Sequence, residues 1–67
     1  MSMSRPTFET KKENILDIIA IEELSTSEIS FRAGYNYYNT EAALKSLEVQ
    51  GKVTMIPKER GVFWRKK

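Results

Sequence analysis

Apolar residues recur at helical spacing over the first fifty positions and switch to strand-like runs after Gly51. Thr40, Ala43, Leu44 and Leu47 stand at i, i+3, i+4 and i+7, which predicts a half-buried helix stopped by Gly51. Upstream, Phe8, Ile15, Ile18 and Ile19 fall on one broad stripe that Leu16 and Ile21 widen. This predicts a first helix from near Thr7 to about Glu23, although Thr10 and Glu13 also match the S/T-x-x-E capping pattern. Between the two, "STSEISFRAG" predicts a short helix. Ser25 and Glu28 form a capping box, Ile29 and Ala33 share a face, and Gly34 suits the left-handed residue that ends a helix. Phe31 is left for a second core contact or for packing against the N-terminal arm. Asn36 and Asn39 are both good caps for the third helix.

Beyond Gly51, "VTMI" and "VFWR" are rich in β-branched and aromatic residues and are joined by the charged five-residue loop "PKERG", which predicts a hairpin. Phe63 and Trp64 alternate along the second strand, so at least one of them closes the core. Residues 1–6, with Pro6 biasing Arg5 towards extended structure, are expected as a flexible N-terminal arm. Residues 7–67 are expected as one domain of α+β class, three helices followed by a β-hairpin.

Composition narrows the chemistry. The chain has 67 residues, no cysteine and no histidine. A disulfide framework is excluded, and so in practice is a structural zinc site. The commonest general base and the best nucleophile are absent as well, so no enzyme, no metal and no cofactor is expected. No apolar run approaches the roughly 20 residues of a membrane helix, and the start lacks the apolar core of a signal peptide, so a soluble, cytoplasmic protein is expected. Charge is distributed unevenly. Residues 1–50 carry five basic side chains against eight acidic ones, whereas residues 51–67 carry six against Glu59 alone. Such asymmetry points to an anionic partner near the C-terminal segment.

The order of these features resembles the winged helix-turn-helix family over nearly the whole chain. The residues that carry the resemblance are "STSEISFRAG", the turn at Gly34, the "AALKSLEVQGKV" close of the third helix, and the hairpin up to "VFWR". Leu44, Leu47, Gly51 and Val53 occupy the places of that family's leucine-x-x-leucine, glycine and first wing strand. "GYN" is also similar to the turn-and-helix start of the winged-helix γ domains of bacterial DNA translocases. Those carry a basic and a small residue next, where this chain has Tyr37 and Tyr38. The resemblance implies a small winged helix-turn-helix that binds double-stranded DNA, as a sequence-specific or architectural protein and a transcriptional regulator. It further implies a third helix in the major groove and a wing on the backbone. Winged helices also serve as protein–protein modules in replication and transcription complexes, so that alternative stays open.

On a helical wheel the face opposite the buried stripe holds Tyr38, Ala42, Lys45 and Val49, flanked by Glu41 on one side and by Asn39 and Ser46 on the other. Asn39 has the chemistry to pair with adenine, Ala42 to touch a thymine methyl, and Tyr38 to donate to a phosphate. Glu41 and Lys45 are also spaced as an i, i+4 ion pair. Lys58, Arg60 and Arg65 supply phosphate contacts from the wing. Ser25, Thr26 and Ser27 offer hydroxyls and amides as a phosphate clamp at the second helix. The competing reading makes Tyr38 and Val49 anchors for a protein partner. A homodimer is expected if the first helix leaves apolar surface uncovered.

Overall fold

The computed structural model describes residues 7–67, and the arm expected at residues 1–6 lies outside them. Three helices, α1 (Phe8–Ile18), α2 (Thr26–Ala33) and α3 (Tyr37–Val49), pack against a three-stranded antiparallel sheet of β1 (Leu24–Ser25), β2 (Val53–Lys58) and β3 (Gly61–Lys66). The strand order is β1-β3-β2.

Thr7 caps α1: its hydroxyl accepts the amide of Thr10 at 3.1 Å, so the helix begins near Thr7 as predicted and not at the Thr10–Glu13 capping pattern. The helix ends five residues earlier than its apolar spacing predicts. Ile19 closes it, with its amide shared between the carbonyls of Ile15 and Asp17. The reason is tertiary. Leu24 and Ser25 must be extended to pair with Trp64 and Phe63, and residues 19–23 form the turn that delivers them. Ile19 stays buried, but Ile21 is 91% exposed and does not widen the core stripe. Phe8 also leaves the core. Its ring lies 5.2 Å from the ammonium of Lys12, which is buried against α3, paired with Glu9 at 2.9 Å and 3.5 Å from the Ser46 hydroxyl.

The core comprises Ile15, Ile19, Leu24, Ile29, Ala43, Leu44, Leu47, Val53 and Trp64, so every element contributes to it. Each full burial of a large apolar side chain contributes about 1.5–3 kcal/mol, and a core this small has little redundancy. The predicted α3 stripe is buried at all four positions, and the buried Thr40 hydroxyl donates to the Asn36 carbonyl at 3.0 Å. Phe31, by contrast, is 83% exposed and does not belong to the core.

The hairpin is tighter than its sequence suggests. Pairing continues to Lys58 and Gly61, so the connection is Glu59 and Arg60 alone and not a five-residue loop. Gly61, at φ 136°, takes the backbone conformation that closes so short a turn. Pro57 lies within β2 opposite Val62, which is tolerated because β2 is an edge strand.

Candidate nucleic-acid interface

Local sequence builds the helix-turn-helix unit. Ser25 caps α2 by accepting the Glu28 amide at 3.2 Å. The reciprocal half of the capping box is not made, because the Glu28 carboxylate accepts from Arg32 at 3.1 Å instead. Arg32 pairs with Glu22 as well, at 2.8 Å, which ties α2 to the turn after α1. The Glu28 hydrogen bond, with Glu22 adding to it, holds the Arg32 guanidinium above its ordinary range, so this cation stays charged and is neutralised by two carboxylates. Gly34 takes the left-handed conformation at φ 75° that ends α2, and the Gly34 and Tyr35 amides both return to the Ser30 carbonyl.

The three residues expected to form a phosphate clamp separate in the structure. Ser25 is half-buried and its oxygen is occupied by the cap. Thr26 is buried, and its hydroxyl accepts the Trp64 indole N–H at 2.8 Å. That hydroxyl faces the interior and is withdrawn from the surface role. Ser27 alone keeps an exposed side chain.

The α3 cap belongs to Asn36, whose Oδ1 accepts the Asn39 amide at 2.8 Å. Asn39 is thereby relieved of capping, and its side chain is exposed. Tyr38 (79% exposed), Ala42, Lys45 and Val49 (87% exposed) line the solvent face, as the wheel predicts. Tyr37 stands edge-on to Tyr38, with ring centroids 5.9 Å apart and an interplanar angle of 84°. This edge-to-face contact restrains two aromatic rings at the start of α3. Glu41 is half-buried and does not pair with Lys45. Among the described residues the ion pairs are Lys12–Glu9, Arg32–Glu22, Arg32–Glu28 and Lys58–Glu23.

The wing treats its cations unequally. Lys58, expected as a phosphate contact, folds back over the Phe63 ring, 4.7 Å from its centroid, to pair with Glu23 beside β1. Arg60 sits exposed in the tip. Arg65 lies opposite Thr54, near the other end of the hairpin, where Lys66 pairs in register with Val53 and the Lys67 amide donates to the Lys52 carbonyl. Arg65 and Lys66 also line an open cavity of about 490 Å³ together with Ile19, Ala20, Ile21, Glu22 and Glu23. Glu22 and Glu23 are already paired with Arg32 and Lys58. Sequence reasoning did not anticipate Glu23 as a partner of Lys58. The two are 35 positions apart and share no local pattern.

No protein-family model matches the chain, and no curated protein matches it. Two solved structures from Mycobacterium bovis do. One is the crystal structure of a fragment of a "possible transcriptional regulatory protein", with a TM-score of 0.80 and 25% identity, covering 84% of this chain and 60% of that one. The other is the solution structure of a homodimeric winged helix-turn-helix DNA-binding domain of a possible ArsR-family transcriptional regulator. Its TM-score is 0.79 at 25% identity, covering 84% of this chain and 52% of that one. The chain thus spans less than two thirds of either structure.

Proposed function

We propose that this winged helix-turn-helix domain binds double-stranded DNA as part of transcriptional regulation. In this reading α3 enters the major groove and the wing lies on the phosphate backbone. The observation that carries it is the solvent face of α3, where Tyr38, Asn39, Ala42, Lys45 and Val49 are exposed above a fully buried stripe and capped by Asn36. The similarity to a domain described as DNA-binding supports it.

Roles follow from the chemistry of each side chain. Asn39 pairs with adenine, Ala42 meets a thymine methyl, and Lys45 supplies a charge to phosphate or guanine. Tyr38 donates its hydroxyl to the backbone, as does Ser27 from the start of α2. Arg60 and Arg65 add charge from the wing. The domain acts as a homodimer, in keeping with the homodimeric state of the similar domain, and two copies would read paired half-sites.

A second reading rests on a specific observation: one cation only, Lys45, stands on a face that exposes Tyr38 and Val49 almost fully. There the helix docks on another protein through those two anchors.

The discriminating experiment titrates a random-sequence duplex at two salt concentrations, followed by site selection from a random pool. Binding that weakens steeply with salt, together with an enriched motif, supports the DNA reading. No binding at either salt removes it in favour of docking.

A further inference from the structure

The cations of the hairpin are concentrated at its base and not at its tip. Six register pairs run from Val53↔Lys66 to Lys58↔Gly61, so the ends are about 17 Å apart at the usual rise of a strand. The tip holds Arg60 and Lys58, together with Glu59 in the turn itself. Lys58 is committed to Glu23 and to the Phe63 ring. At the tip, therefore, one cation is unpaired and an acidic neighbour stands beside it.

The base is different. Lys52, Arg65, Lys66 and Lys67 all stand at this end, placed there by the register of β2 and β3 and by the Lys67 to Lys52 backbone hydrogen bond at 3.1 Å, with Arg65 opposite Thr54 on one face of the sheet and Lys66 opposite the buried Val53 on the other. All four are exposed. None takes part in an ion pair among the described residues. The nearby carboxylates that line the same cavity, Glu22 and Glu23, are engaged by Arg32 and Lys58. The Glu23–Lys58 pair thus has two effects: it withdraws a cation from the tip and removes a competing anion from the base.

We infer that the base of the wing, formed by Lys52, Arg65, Lys66 and Lys67, is the principal phosphate-backbone site of this protein. Its ligand is duplex DNA, bound through charge and independent of base sequence. The inference rests on the DNA-binding reading and relocates its electrostatic anchor from the tip to the base. Four unpaired cations at one end of the hairpin, divided between its two faces, release counterions from as many phosphates, and this release sets the salt dependence of binding. A lone Arg60 beside Glu59 cannot match it.

The test compares salt slopes. The apparent binding constant for a random-sequence duplex is measured across a salt series for the full chain and for two variants. In the first, Lys52, Arg65, Lys66 and Lys67 are all changed to Gln. In the second, only Arg60 is changed to Gln. The fourfold variant is expected to lose about 3–4 from the magnitude of the logarithmic slope, and Arg60→Gln about 1. The altered side chains lie outside the core, and Trp64 fluorescence verifies that each variant is folded. A third variant, with Lys52, Lys66 and Lys67 changed to Arg, keeps the charge and is expected to keep the slope.

A fourfold variant that is folded and loses no more slope than Arg60→Gln overturns the inference while leaving DNA binding intact. Loss of slope in the charge-conserving variant overturns it too, because the lysines would then act through something other than charge. A wild-type chain that ignores the duplex at every salt concentration overturns both this inference and the reading beneath it.

Discussion

The solvent face of α3 presents two tyrosine rings, an amide, a methyl and one ammonium, whereas the hairpin that follows presents cations at both ends and an apolar strip between them. Both are exposed, both are joined to the same core, and both are candidates for touching one ligand. Their chemistry divides the work. A face with a single charge attracts a polyanion only weakly at a distance, yet its hydroxyls, amide and methyl suit short-range discrimination. A hairpin with unpaired cations attracts any phosphate backbone and discriminates little. The proposed DNA-binding reading therefore assigns affinity mainly to the wing and preference mainly to α3. Trp64 ties the hairpin to the helical unit, since its ring belongs to the core that α3 shares while its indole N–H is accepted by Thr26 at the start of α2.

The largest effect expected from breaking this arrangement is at that junction. Trp64→Ala should destabilise the domain by about 3–5 kcal/mol, and thermal unfolding would show a chain scarcely folded at ambient temperature. Thr26→Val is milder. It leaves the buried indole N–H without an acceptor and should cost about 1–3 kcal/mol, while Thr26→Ser retains most of the stability. A Thr26→Val protein with wild-type melting behaviour would mean that the hydrogen bond does not join wing to helix.

Capping comes next. Asn36→Ala should cost about 0.5–2 kcal/mol by removing the acceptor for the Asn39 amide. Asn39→Ala should leave stability nearly unchanged and relax preference at one position of a selected site. If calorimetry shows the two costs reversed, Asn39 is the structural residue and α3 loses its amide reader.

The smallest effect sharpens the comparison most. Glu23→Gln releases Lys58 from a partly exposed pair, so stability should change by no more than about 1 kcal/mol. The freed ammonium should raise duplex affinity at low salt and steepen the salt slope by about 1. An unchanged slope would show that Lys58 faces away from the DNA whether or not it is paired.

Which features were legible beforehand follows the range of the interactions involved. The α3 stripe, the Ser25 cap and the turns at Gly34 and Gly51 all rest on contacts between residues three to five apart, and each stands where its spacing puts it. Asn36 and Asn39 were an unresolved choice, because either position satisfies the local rule. Sequence by itself therefore determined the order of the three helices and the hairpin, the buried face of the third helix, and the basic character of residues 51–67. Only the tertiary structure decided where α1 stops, that Leu24 and Ser25 form a third strand, that Thr26 is interior, and which wing cations are unpaired. Each of these depends on a partner between 35 and 40 positions away, such as Glu23 with Lys58 or Leu24 with Trp64. Pairings of that kind form when burial and strand register bring distant segments together, and no local periodicity encodes them.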